Sequence, residues 1–165
     1  MIISDFVFHN LTTDRKYNGG FFEKIVEFAA KELDLESKKF ELSLSLVGEG
    51  RIKALNKKYR GKNKTTDVLS FPLMERGPIR SRAGQELITS NGVNDIISLG
   101  DIFICLPVAK KNAAREKVSL DYIMSFLTIH GFMHLLGYDH EKSAIEKDKM
   151  FTLQDKILKR LATSD

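Results

Sequence analysis

Three of the chain's four histidines fall in one short stretch, His130-Gly-Phe-Met-His134-Leu-Leu-Gly137-Tyr-Asp139-His140. His130 and His134 are four apart, so on a helix both imidazoles project from one face, a turn apart. Gly137 supplies a residue that can stop such a helix in a left-handed conformation. The chain can then turn and bring His140 back to the same point. Three neutral imidazoles around an open fourth position are the usual design of a catalytic zinc site, whereas a structural zinc is more often closed by four ligands, commonly thiolates. One zinc ion per chain, held by His130, His134 and His140, is therefore the expectation. A lone histidine on an apolar helix face is usually an ordinary core residue. Three at this spacing around a helix-stopping glycine are much harder to reach by chance.

The spacing is that of the long zincin signature, with one departure. Gly131 stands where a zinc protease carries its glutamate base. Metal binding is thus indicated and peptide-bond hydrolysis argued against. A His-ligated zinc lowers the pKa of its bound water to ~7 and can polarise a phosphoryl oxygen. Hydrolysis of a phosphodiester also calls for a fixed cation. A guanidinium binds two phosphoryl oxygens at once, which a lysine cannot do. The chain offers its cations in a basic block. The block runs Arg51, Lys53, Lys57, Lys58, Arg60, Lys62, Lys64 with no acidic residue among them. Such a block attracts a polyanion, or is an ordinary solvated helix face. On the first reading Lys53, Lys57 and Lys64 would position backbone phosphates without reading sequence. Asp139, next to the third histidine, can orient a ligand ring or cap the turn. His9 reads as a plain strand or surface histidine.

The elements that must position these groups follow from periodicity. Residues 2–8 read as a strand and Phe21–Leu33 as an amphipathic helix. Residues 39–47 alternate as a half-buried strand. A second helix runs from after Gly48 to about Tyr59, with Ile52, Leu55 and Tyr59 as its buried stripe and Gly61 as its stop. Residues 65–72 read as a strand that Pro72 ends or pushes to a sheet edge. Residues 73–98 form a long loop, either a lid or an unstructured connector. Leu99–Leu106 is a further buried strand, and Pro107 opens a short helix. Ser119 caps the histidine helix, with Asp121 in its first turn. Ser143 and Glu146 form a capping box for the last helix, whose stripe is Met150, Leu153, Ile157, Leu158 and Leu161. This order predicts an α+β fold with a mixed sheet of about four strands packed with helices, including a zincin-like His-x3-His helix.

Length and composition agree. With 165 residues, 42% hydrophobic and 29% charged, the chain reads as one domain spanning 1–165. No apolar run has membrane-spanning length and no signal peptide is evident. The single cysteine, Cys105, lies in an apolar run and reads as a buried thiol, which suits a reducing cytoplasm. A net charge of +4 says less than the clustering of basic residues.

Four segments now appear in order: Asn56-Lys-Lys-Tyr59-Arg60, Thr66-Asp67-Val-Leu-Ser-Phe-Pro72, Leu99-Gly-Asp-Ile102 and His130-Gly-x-x-His134-Leu-x-Gly-x-Asp139-His140. Together they resemble the YbeY family of bacterial endoribonucleases and ribosomal RNA maturation factors, over roughly residues 20 to 160. The resemblance implies a zinc-dependent hydrolase of single-stranded RNA. It implies action in 16S rRNA 3′-end processing and ribosome quality control, in the cytoplasm with the small ribosomal subunit. It places the ligands at His130, His134 and His140 and the important arginine at Arg60; Asp67 is assigned no role. The competing readings are a non-enzymatic ribosome-assembly or RNA-binding factor with a structural zinc, and a zinc hydrolase of another substrate.

Overall fold

Alternation of apolar and polar residues decides the centre of the molecule. In the computed structural model of the protein, which describes residues 2–73, 96–141 and 143–164, the alternating segment Lys39–Val47 becomes β2, burying Phe40, Leu42, Leu44 and Leu46. Around it lie β1 (Ile3–Asn10), β3 (Val68–Pro72) and β4 (Ile96–Cys105), in the sheet order β1-β2-β4-β3. β2 pairs in parallel with both β1 and β4, while β3 runs antiparallel to β4. Among the described residues the sheet is therefore mixed and four-stranded. Pro72, with no N–H for a ladder, ends the edge strand, where its cost is least.

Five helices among the described residues complete the fold: α1 (Gly19–Glu32), α2 (Glu49–Arg60), α3 (Leu106–Glu116), α4 (Leu120–Leu135) and α5 (Ala144–Thr163). α4 packs against β3, β4, α1, α3 and α5. Its Ile123, Met124, Leu127, Ile129, Phe132 and Met133 are all buried, so apolar residues occupy nearly every side of it. That burial fixes the helix carrying two of the histidines. α2 covers the other face of the sheet, where Ile52 joins Val47, Leu69 and Cys105 in a smaller core flanked by Phe71 and Phe103. Cys105 is wholly buried, and burial pushes its thiol pKa up. No described helix is long and apolar enough to cross a membrane.

Several boundaries differ from the sequence reading. β1 extends to Asn10. β3 starts only at Val68, because Asp67 turns the chain: its Oδ1 accepts the Val68 N–H and its backbone carbonyl accepts the Cys105 N–H. β4 begins at Ile96 rather than Leu99, and Leu106 opens α3 instead of closing the strand. The 73–98 loop otherwise lies outside the described residues. Tyr59 is not part of a buried stripe. It is 57% exposed, leaning on Phe71 with ring centroids 5.0 Å apart. The polar member of α2 that is buried is Asn56, whose Nδ2 donates to the Lys64 carbonyl and ties the segment after the helix.

A bulge shapes β4 beside the edge strand. Pairing shifts from Glu41↔Ser98 to Leu42↔Gly100. Gly100 has φ +128, and a Cβ there would stand 2.1 Å from the Phe71 carbonyl oxygen, so no other residue fits.

Candidate metal centre

The histidine site is assembled at the edge of the sheet, where the C-terminal ends of α2 and α4 meet β3. Ser119 caps α4 by accepting the Tyr122 N–H, and Asp121 sits in the first turn, as the sequence predicts. Sixteen residues later the helix ends at Leu135, and Gly137 follows with φ +97, turning the chain so that His140 returns. The Nε2 atoms of His130 and His134 are 3.1 Å apart, and His140 Nδ1 is 3.2 Å from His134 Nε2. One ligand nitrogen from each ring lies within 4.8 Å of the other two. Tetrahedral ligation at ~2.0–2.1 Å from a zinc ion puts neighbouring nitrogens about 3.3 Å apart, so the rings stand at nearly the required separation.

The surroundings favour the neutral form of two of the rings, His130 and His134. Burial lowers the pKa of His130. Burial first, then the neighbouring His130 and His140, brings His134 down to about 4. Phe126 stacks on His130 at 8° between ring planes, and Phe151 lies 6.0 Å from His130 and 5.8 Å from His140 between centroids. A proton is thus taken up less readily by folded His134 than by the unfolded chain, whose histidine has the ordinary value of 6.5. The unfolded state binds more protons across that window, so the metal-free protein loses stability as pH falls from about 6.5 towards 4. Thermal melts of chelated protein between these limits check this. His134→Gln should flatten the pH dependence, and parallel curves for the two proteins would refute the assignment.

Gly131 is explained by packing. A Cβ at this position would lie 2.9 Å from Ile102 Cγ2 and 3.1 Å from Ser70 Oγ. The Gly131 carbonyl also accepts the Ser70 hydroxyl at 3.2 Å. The position faces the sheet, so any side chain there must displace Ile102 or Ser70. Gly131→Ala is expected to cost about 1–3 kcal/mol by overpacking, read from urea unfolding. A gain near the ~1 kcal/mol typical of an exposed helical Gly→Ala change would show that the contact relaxes freely.

In front of the histidines opens a cleft of about 510 Å³, lined by Arg60, Thr66–Ser70, the three histidines and the Tyr138–Glu141 turn, among others. Arg60 reaches it from the last turn of α2 and stands 3.7 Å from Glu141 across the opening. Both partners are substantially exposed, so this pair contributes only ~0–1 kcal/mol and leaves the guanidinium available. Lys53, Lys57 and Lys64 are exposed and do not line the cleft. Asp139 does line it, but its Oδ1 accepts the Glu141 N–H, which is the turn-capping one of its two readings. His9 lies on β1, away from the other three histidines. Two residues of the neighbourhood were given no role by the sequence reading. Asp67 lines the cleft wall. Gln154, on α5, is fully buried with Oε1 3.0 Å from His130 Nδ1. The signal for Gln154 was there: an amide in an otherwise apolar helical stripe.

Comparison with known proteins gives a consistent result. The family model described as Endoribonuclease YbeY matches residues 8–162. An Endoribonuclease YbeY of Persephonella marina is 40% identical over 151 residues, covering 90% of this chain and 86% of that protein. One of Staphylococcus aureus strain JH9 is 43% identical over 136 residues, covering 82% of this chain and 81% of that protein. The solution structure of TM1509 from Thermotoga maritima superposes with a TM-score of 0.58 at 26% identity, covering 93% of this chain and 86% of that one.

Proposed function

The chain belongs to the YbeY endoribonuclease family, and from that premise we propose that it is a zinc-dependent endoribonuclease of single-stranded RNA. On this reading it acts in 16S rRNA 3′-end maturation and ribosome quality control, with the small ribosomal subunit in the cytoplasm. The observation that carries the reading is the convergence of three imidazole nitrogens on the floor of an open cleft whose other wall holds an arginine.

The donor set fits a borderline-soft divalent ion: three imidazoles and no thiolate. When bound, that ion supplies Lewis acidity toward a phosphoryl oxygen and an acidified water near neutral pH. The protein's own residues do the rest. His130, His134 and His140 hold the ion. Arg60 clamps two nonbridging oxygens of the scissile phosphate, where negative charge develops. Lys53, Lys57 and Lys64, outside the cleft, attract flanking phosphates and keep the RNA strand in register. Asp139 holds the turn that delivers His140. A cleft open to solvent on one side suits a flexible strand; a stiff duplex would have to enter side-on.

The test is cleavage of a short single-stranded RNA and of the same sequence as a duplex, before and after chelation and after return of Zn2+. Metal-dependent cutting of the single strand is expected. Protein that cuts equally well with and without chelator contradicts the reading.

A further inference from the structure

Gln154 is a costly residue for the place it occupies. α5 buries Met150, Ile157 and Leu158 against the core, and Gln154 sits among them with no exposed surface. Its Nε2 is buried without a hydrogen-bond partner among the described residues. An unsatisfied buried donor is a cost that an apolar side chain of the same size would avoid. A group retained at such a cost invites a functional account.

That account comes from the other end of the amide. Oε1 lies 3.0 Å from His130 Nδ1, on the side of the ring away from the histidine cluster. A neutral imidazole carries one N–H and one lone pair. If Nδ1–H donates to Oε1, the lone pair is on Nε2, which is the nitrogen facing His134. The orphaned Nε2 of Gln154 follows from the same choice, because turning the amide round would aim N–H groups at Nδ1 and put the ring proton on the ligating nitrogen. Phe151, a turn earlier on α5, packs against the same ring. Phe126 stacks on it from α4. The ring is held in plane and in tautomer by groups that are not themselves ligands.

We propose that Gln154 is a positioning residue for the metal centre. It fixes His130 in the Nδ1–H tautomer and aims Nε2 at the cation; this rests on the metal reading given above. The choice of an amide has a consequence. A carboxylate there would bring a negative charge beside the centre, whereas a neutral acceptor orients the ring and leaves the ion its full charge for phosphate.

The test uses Gln154→Met, which keeps the volume and loses the acceptor, and Gln154→Glu, which keeps the acceptor. Three properties are measured on the full chain: Zn2+ affinity by competition with a chelator, melting temperature of the metal-free protein, and the His130 tautomer from long-range 1H–15N spectra of the metal-free protein. Gln154→Met should weaken Zn2+ binding ~10–100-fold and shift the His130 ring toward Nε2–H. Its metal-free melting temperature should change little, since the orphaned amide N–H and the hydrogen bond to His130 are lost together. Gln154→Glu should restore the tautomer and most of the affinity. Wild-type protein with His130 as Nε2–H overturns the proposal. So does Zn2+ affinity within twofold of wild type in Gln154→Met, or failure of Gln154→Glu to recover it. A wild-type protein that takes up no ion sinks the metal reading and this proposal together. Equal uptake by wild type and Gln154→Met sinks the role of Gln154 alone.

Discussion

Replacing His134 with alanine is expected to weaken metal binding by more than about 100-fold and to reduce RNA cleavage to background. His134 is the middle of the cluster: its Nε2 stands within 3.1 Å and 3.2 Å of nitrogens on the other two rings. Loss of a group that only orients a ligand already costs ~10–100-fold; loss of the ligand itself must cost more. The fold should survive, because the core around α4 is built from Ile123, Met124, Leu127, Phe132 and Met133 and does not involve the ion. Metal removal should lower stability only by the linkage contribution, ~2.7 kcal/mol at a free ion concentration a hundred times Kd, read as a limited drop in melting temperature. Chelator competition, a gel assay of RNA cleavage and a melt with and without chelator check the three parts. A domain that unfolds outright on chelation would favour a structural ion, and undiminished cleavage by the variant would assign the activity to something else.

Arg60→Ala is expected to lower kcat by about 10²–10³ with metal content unchanged. Arg60 lines the cleft from α2 and pairs with Glu141 at 3.7 Å. On the proposed reading, removing it takes away a clamp on the developing charge while leaving the three histidines in place. Arg60→Lys should restore little, since an ammonium cannot grip two oxygens in one plane. Single-turnover cleavage rates alongside zinc content separate this from a loss of metal. Full activity in Arg60→Ala would make Arg60 a surface cation of the basic block and nothing more.

Much of this site was legible in the sequence because it is local. The spacing of His130 and His134 needs only helical periodicity, and Gly137 needs only the backbone freedom to take φ +97. The Ser119 and Ser143 caps are likewise decided within a few residues. The alternation in 39–47 marked a strand for the same reason.

What the sequence could not decide are relations between distant elements. It showed that Gly131 lacks a carboxylate but not why. The reason is Ile102 and Ser70, brought against α4 only by the sheet. It placed Tyr59 on a helical stripe, yet β3 supplies Phe71 at the rim and leaves the ring in solvent. It offered Arg60 as one cation among seven, and the edge position of β3 turned that one into the cleft. Gln154 and His130 are 24 residues apart on different helices, and only the packing of α5 on α4 makes the amide a partner of the ring. Short-range stereochemistry determined which residues could ligate an ion; burial and long-range packing decided what holds them there and what faces them.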